Sequence, residues 1–172
     1  MFHTLQSPLE SGQEPGNVQI DYSSAFDGVN HQGIIYKLCS VGIGGSVLSV
    51  LTQFLSNRSQ HVMVDGCQSK LVDVILGVPQ YSFLGRLLSL LYTSELFSFL
   101  ENKLIEFADD STLMAVVESP GVRITVAESL IRDLDRVSEW CDLWGMKLNA
   151  SKTKTMIVSR SCTMWVYNSL HP

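Results

Sequence analysis

Two adjacent carboxylates, Asp109 and Asp110, sit between the apolar runs Leu104-Ile105 with Phe107-Ala108 and Leu113 to Val117. Each run is too short for a typical helix, which predicts two strands joined by a tight turn carrying the acids. Like charges so close raise each other's cost of ionisation, and a divalent cation is the common physical remedy that keeps both charged. Neighbouring side chains on a strand point to opposite faces, so two neighbours reach one ion only at a turn, where the alternation breaks. In that arrangement one acid ligates and the other supports it. An acidic pair that merely solvates a hairpin tip fits the same stretch, since Asp is a favoured turn residue. A second acid upstream separates the two readings: Asp21, closing the alternating stretch Val18-Gln19-Ile20-Asp21-Tyr22.

The elements that must position these acids follow from periodicity. Residues 1–16 carry the breakers Pro8, Gly12, Pro15 and Gly16 and read as a poorly ordered leader. After the short strand Val18–Tyr22, Ser23, Ser24 and Asp27 are turn and capping types, with Asp27 read as a helix cap. Ile34, Ile35, Leu38 and Val41 then give helical spacing over residues 31–41, and a second helix is expected over residues 46–55. Two β-leaning runs, 60–64 and 71–76, flank Asp65-Gly66, a hairpin signal. Gly77-Val78-Pro79-Gln80 stops the second run, and an apolar helix is expected from Phe83 or Leu84 to Leu100. Beyond the acidic hairpin, Val126, Leu130, Leu134, Val137 and Cys141 mark one face of a long helix over residues 122–143, with Asp133 among the charged residues of its wet side. Trp140 and Trp144 flank that stripe and read as packing groups. Gly145 ends the helix, and a last strand is expected at residues 155–158. Residues 161–172 form an irregular tail without a usable period.

With residues 42–76 set aside, the order is strand, helix, strand, strand, helix, strand. That is the split βαββαβ pattern of an α+β, ferredoxin-like domain with helices on one face of an antiparallel sheet. Its first strand lies beside the central hairpin, so Asp21, Asp109 and Asp110 would converge at one sheet edge. Three carboxylates there build a magnesium site that leaves positions open for phosphate oxygens and water.

The whole chain has 172 residues, 45% hydrophobic and 17% charged, which suits one globular domain. A net charge of -5 is unusual for a free-standing nucleic-acid binder, which needs a basic surplus against phosphates. Cys39, Cys67, Cys141 and Cys162 lie far apart, and His3, His31, His61 and His171 are scattered, so no zinc site is expected. The first 17 residues have no apolar signal region, and Arg86 and Glu95 interrupt the most apolar run. An intracellular protein, cytoplasmic or nuclear, neither secreted nor membrane-bound, is the expectation.

These residues resemble the palm of a reverse transcriptase of the non-LTR, LINE-type retrotransposons. Asp21-Tyr22-Ser23-Ser24-Ala25-Phe26-Asp27 with Val29-Asn30-His31 is similar to the family's first catalytic motif. Gly77-Val78-Pro79-Gln80 through Leu84-Gly85 is similar to the Gly-x-Pro-Gln-Gly loop, and Phe107-Ala108-Asp109-Asp110 to the (Tyr/Phe)-x-Asp-Asp signature. Gly145-Met146-Lys147-Leu148-Asn149 with Ser151-Lys152-Thr153 matches the next motif in order. The resemblance covers residues 17–160 as a palm-like domain, with 42–76 as a partial fingers insertion. It implies RNA-directed DNA polymerisation by a two-metal mechanism, with an RNA template, a DNA primer and deoxynucleoside triphosphates as partners. Asp21 and Asp109 would hold two Mg²⁺ ions, replaceable by Mn²⁺, with Asp110 as supporting acid. Phe26 would be the steric gate beneath the incoming sugar, and Gln80 a nucleotide contact. Lys152 or Lys154 would neutralise or protonate the leaving pyrophosphate. Without the motif, Phe26 reads first as a core aromatic between strand and helix.

Two departures shape the expectation. Tyr81 stands where the family loop has Gly, which removes close backbone approach and free φ and is expected to obstruct the nucleotide pocket. Arg86 replaces a usual Pro. No counterpart of the flanking fingers, thumb or endonuclease is read around the palm, so the isolated chain is expected to be an inactive fragment. The alternative is a non-catalytic retrotransposon-derived remnant that at most binds metal or protein.

Overall fold

The computed structural model describes residues 8–23, 25–107 and 110–158 and the strand Val166–Tyr167. The expected turn acid Asp109 lies outside the described residues. In chain order the elements are β1 (Glu14–Ile20), α1 (His31–Ser40), α2 (Gly45–Leu55), β2 (Ser59–Gln60), β3 (Met63–Val64), β4 (Cys67–Gln68), β5 (Val72–Asp73), α3 (Phe83–Thr93), β6 (Lys103–Phe107), β7 (Asp110–Val117), α4 (Arg123–Trp144), β8 (Lys154–Ile157) and β9 (Val166–Tyr167). Single 3₁₀ turns occupy Ser94–Ser98 and Pro120–Val122. The chain divides into two compact units, one of Met1–Ser23 with Ser94–Pro172 and one of Ser24–Thr93.

The first unit is an antiparallel sheet in the order β6-β7-β1-β8-β9. Taking β1, β6, β7 and β8 as the four strands of the split motif, the third lies between the first and second and the fourth flanks the first. This is the expected ferredoxin-like arrangement of an α+β palm. β1 begins at Glu14, earlier than the alternating stretch suggested. Pro15 lacks an N–H but sits near the strand start, and its carbonyl accepts from the Val158 amide at 3.0 Å. Gly16, Val18, Ile20 and Tyr22 share one face by alternation, and α4 packs there: a Cβ on Gly16 would lie 3.7 Å from Leu130. Val18, Ile20, Leu113, Leu130, Val137 and Cys141 are buried. Each of the aliphatic side chains among them contributes roughly 1.5–3 kcal/mol on leaving water.

Helix α4 matches its apolar stripe except at one position. Asp133, expected on the wet face, is fully buried. Its carboxylate accepts from the amides of Glu101 at 2.9 Å and Asn102 at 2.8 Å, from Asn102 Nδ2 at 2.9 Å and from Arg136 Nη1 at 3.0 Å. The turn that feeds β6 has backbone donors with no strand to pair with, and a helix carboxylate satisfies them. Outside this anchor, Arg132 and Arg136 grip Glu101, each at 2.9 Å, and hold its carboxyl below the usual range. Trp140 is buried, with its ring centroid 6.2 Å from that of Trp144, which agrees with packing. Gly145 caps α4 at φ +74°, as its position predicts.

In the second unit α1 packs on α2 and α3. Asn30 caps α1, its Oδ1 accepting from the amides of Gln32 at 2.9 Å and Gly33 at 3.1 Å. Asp27, read from sequence as the cap, is therefore not the cap, because the helix starts one residue after Asn30. The two β-leaning runs form a hairpin whose ladder is broken into β2-β5 and β3-β4. The Ser69 hydroxyl, instead of a backbone carbonyl, takes the Val62 amide at 2.9 Å and splits it. Asp65 and Gly66 form its turn at φ +48° and +80°. The expected helix to Leu100 stops at Thr93, whose Oγ1 bonds back to the carbonyls of Ser89 and Leu90. Among the described residues no helix is long and apolar enough to cross a membrane.

Candidate functional site

The acidic edge lies where β1 ends. The last registered pair between β1 and β7 is Ile20 with Ser111. Carried one residue further, the register places Asp21 across from Asp110, and cross-strand partners share a face. Burial agrees: Val18, Ile20 and Tyr22 are buried on the α4 face, while Gln19 is exposed and Asp21 half-buried on the other. Phe107, registered opposite Asp110, is 79% exposed on that same open face. No ion pair or side-chain hydrogen bond joins Asp21 or Asp110 to another described residue. Two carboxylates on one face of neighbouring strands, without a cationic partner among the described residues, fit a hard divalent cation, which takes oxygen ligands and keeps water in the rest of its shell. Among the described residues no group of three or more His, Cys, Asp or Glu could hold a metal, and the third acid of the expected set, Asp109, lies outside them.

The segment after α4 holds this edge. Ser23 donates its amide to the Lys147 carbonyl at 2.7 Å, Tyr22 bridges to Leu148, and the Asn149 amide donates to the Asp21 carbonyl at 2.8 Å. The Asp21 amide in turn donates to Thr153 Oγ1 at 3.4 Å. Lys152 is exposed in the turn this segment makes, its amide bonded to the Asn149 carbonyl, and Lys154 is exposed opposite Gln19. Beneath the edge, on the α4 side, burial pushes the Tyr22 phenol well above its usual range, partly offset by the Ser111 hydroxyl beside it. Cys141 on α4 is likewise pushed up to about 12 by burial. Both stay neutral at physiological pH, so neither adds charge beneath the acidic edge.

Phe26 and Gln80 belong to the second unit. Val29 and Phe26 give their carbonyls to the amides of Gly77 at 2.7 Å and Val78 at 2.8 Å, so the loop after Asp21 and the loop before α3 are zipped together. Gly77 is required twice over: its φ is +83°, and a Cβ would lie 2.8 Å from the Asp27 Cα. Its carbonyl accepts from Arg58 Nη1 at 3.0 Å and from His31 Nε2 at 2.7 Å, which places the histidine proton on Nε2. Sequence reading found no partner for His31 and passed over Arg58. Only the motif neighbours Val29-Asn30-His31 hinted at the first. Gln80 donates from Nε2 to Asp27 Oδ1 at 3.0 Å. Gly77, Val78 and the run Val74–Leu76 line a cavity of about 660 Å³, with Asp27, Arg58, Gln60, Asp73 and Gln80 as its polar side chains. Phe26 is half-buried, between the sequence's two readings of it. Tyr81 is held at φ +62° with its ring 93% exposed. The backbone there keeps the conformation a glycine would take, and tyrosine adopts it under strain.

A family model described as reverse transcriptase (RNA-dependent DNA polymerase) matches residues 4–167. The RNA-directed DNA polymerase from mobile element jockey of Drosophila melanogaster is 32% identical over 77% of this chain and 15% of its own length. Its Drosophila funebris counterpart is 28% identical over 84% of this chain and 16% of its own length. A probable RNA-directed DNA polymerase from transposon BS of Drosophila melanogaster is 31% identical over 88% of this chain and 17% of its own length. The chain thus spans about one sixth of the curated relatives it matches. In three dimensions it is similar to apo telomerase from Candida tropicalis truncated from its C-terminal domain, with a TM-score of 0.66 at 15% identity over 95% of this chain and 36% of that one. Telomerase from Candida albicans gives a TM-score of 0.59 at 16% identity over 94% of this chain and 30% of that one, and likenesses at such identity speak for the fold. A family match over nearly the whole length, with mobile-element relatives and a palm strand order behind it, means that the chain belongs to the reverse transcriptase family, as the palm of a LINE-type retrotransposon polymerase.

Proposed function

We propose that this chain is the catalytic palm segment of an RNA-directed DNA polymerase and that, joined to the rest of such an enzyme, it extends a DNA primer on an RNA template using deoxynucleoside triphosphates. The observation that carries this reading is that the β1–β7 register, carried one residue past Ile20 and Ser111, sets Asp21 across from Asp110 on one open face, with no ion pair to either from another described residue. Asp21, Asp109 and Asp110 would hold two Mg²⁺ ions, or Mn²⁺ in their place. When bound, divalent ions at such a site lower the pKa of the attacking 3′-hydroxyl and neutralise charge on the triphosphate. The chain's own residues do the positioning. Gln80, oriented by its bond to Asp27, keeps its carbonyl oxygen and second N–H for a nucleotide. Phe26 would take the place beneath the sugar, and the exposed ammonium of Lys152 would neutralise or protonate the departing pyrophosphate. Residues 42–76 would serve as part of the fingers.

A second reading, a remnant that binds metal without polymerising, is favoured by the strained tyrosine at position 81. Mn²⁺ titration followed by primer extension separates the two. Metal binding lost in Asp21→Asn, together with primer extension once the flanking polymerase segments are restored, supports the catalytic palm. Binding that persists in Asp21→Asn and Asp110→Asn refutes the shared-cation site.

A further inference from the structure

At Asp21 the two strand ladders of β1 run out. The registered pairs end at Ile20 with Ser111 on one side and at Gln19 with Lys154 on the other. A residue at that position has lost the regular partners that fix backbone direction, yet a metal-binding carboxylate needs its Cα held to a fraction of an ångström. The segment 147–153 supplies the missing partners. Asn149 donates its amide to the Asp21 carbonyl at 2.8 Å, and Thr153 Oγ1 accepts the Asp21 amide at 3.4 Å. That same Thr153 hydroxyl donates to the Asn149 carbonyl at 3.0 Å, and the Thr153 amide donates to it at 2.9 Å. Asp21, Asn149 and Thr153 thus close a small ring of hydrogen bonds in which the Thr153 hydroxyl is the one side-chain group. A hydroxyl both accepts and donates, so it can link an amide to a carbonyl where no backbone group is in register. The ring is partly buried, which raises the cost of leaving the Asp21 amide unpaired.

We infer that Thr153 is a positioning residue for the metal-binding carboxylate of Asp21: its hydroxyl fixes the main chain on which that carboxylate is mounted. The inference rests on the reading of Asp21 as a cation ligand. Thr153 touches neither cation nor substrate. Its effect is read in the cation affinity of the site, and the side chain required is a hydroxyl, not a particular shape.

The test titrates the 172-residue chain with Mn²⁺ and follows the free-ion signal by electron paramagnetic resonance, with circular dichroism melting of each variant as the fold control. Thr153→Val, which keeps the shape and removes the hydroxyl, weakens Mn²⁺ binding by about three- to tenfold, on the scale of one lost hydrogen bond. Thr153→Ser restores the affinity to within about twofold, on the reasoning that the hydroxyl alone acts. Asp21→Asn abolishes the site. Unchanged binding in Thr153→Val, against loss in Asp21→Asn, overturns the positioning role while leaving the cation site standing. Unchanged binding in Asp21→Asn overturns the cation reading itself, and the positioning role with it. Should Thr153→Val not fold, amide hydrogen exchange of the wild-type chain decides: slow exchange at Asp21 supports the ring, and exchange at the rate of an open amide refutes it.

Discussion

Replacing Asp133 tests how the acidic hairpin is anchored. The carboxylate is fully buried and takes four donors, two of them the backbone amides of Glu101 and Asn102 at the entry to β6. Asp133→Ala leaves those amides facing a small cavity, at about 1–3 kcal/mol for each unsatisfied buried donor. It also removes one of the two acids that Arg136 meets, but that guanidinium is 37% exposed and keeps Glu101, so this pair adds at most about 1 kcal/mol. These contributions overlap, because Arg136 can turn outward to Glu101 and water can enter, so a net loss of about 4 kcal/mol is expected, within the range measured for broken buried networks. Urea unfolding, followed by far-ultraviolet circular dichroism and by the fluorescence of Trp140 and Trp144, reads this directly. With a slope near 2 kcal/mol per molar, the midpoint falls by about 2 M at unchanged slope. Asp133→Asn retains one acceptor and the shape, and should lose about half as much. A midpoint shift below about 0.5 M in Asp133→Ala, which is about 1 kcal/mol on the same slope, would show that water serves the β6 turn as well as the carboxylate does.

Four further outcomes follow from local geometry and burial. Gly77→Ala forces a Cβ onto the Asp27 backbone at a positive φ, and should destabilise the chain by at least ~2 kcal/mol, seen as a lower melting temperature. Tyr81→Gly releases ~1–2 kcal/mol of left-handed strain and returns part of it as unfolded-state entropy, so the melting temperature should rise by a few degrees or hold, and a fall would contradict the strain. Cys39 and Cys67 are exposed, whereas the buried Cys141 thiol keeps its proton to about pH 12, so alkylation at pH 8 read by mass spectrometry should mark the first two and spare the third. The same shift carries a sign for stability. The unfolded thiol ionises from pH 9.0 and the folded one only near 12, so the unfolded chain sheds its proton first and stability falls as pH rises through that window. An alkaline melting series in which Cys141→Ala removes part of the fall is the check.

How much could be read beforehand depended on whether the deciding contact was local. Helices α1, α2 and α4 were legible because a 3.6-residue apolar period is written along the chain itself, and Gly145 and Asp65-Gly66 because a left-handed backbone selects few residue types. The split strand order was legible from element order alone. Asp133 was not, since its place is decided by unpaired amides some thirty residues away that carry no mark in the helix. The cap of α1 was assigned to Asp27 when Asn30 holds it, because both are capping types and only the true helix start separates them. The hairpin ladder breaks at Ser69, a side-chain choice that alternation cannot show. At the site, element order alone set the end of β1, where Asp21 follows, beside the start of β7 that carries Asp110. The hold of residues 147–153 on Asp21 was invisible, because most of it runs through main-chain atoms.

That hold bears on how the protein is made. Asp21 leaves the ribosome well before the hydroxyl that steadies it, which comes 132 positions later. β1 has no neighbour in the sheet that is synthesised near it, so its pairing waits on distant chain, the kind of contact that slows folding. A nascent chain halted before Thr153 would leave the β8 edge of β1 unpaired and Asp21 unaligned, an open strand edge that chaperones and aggregation alike can engage.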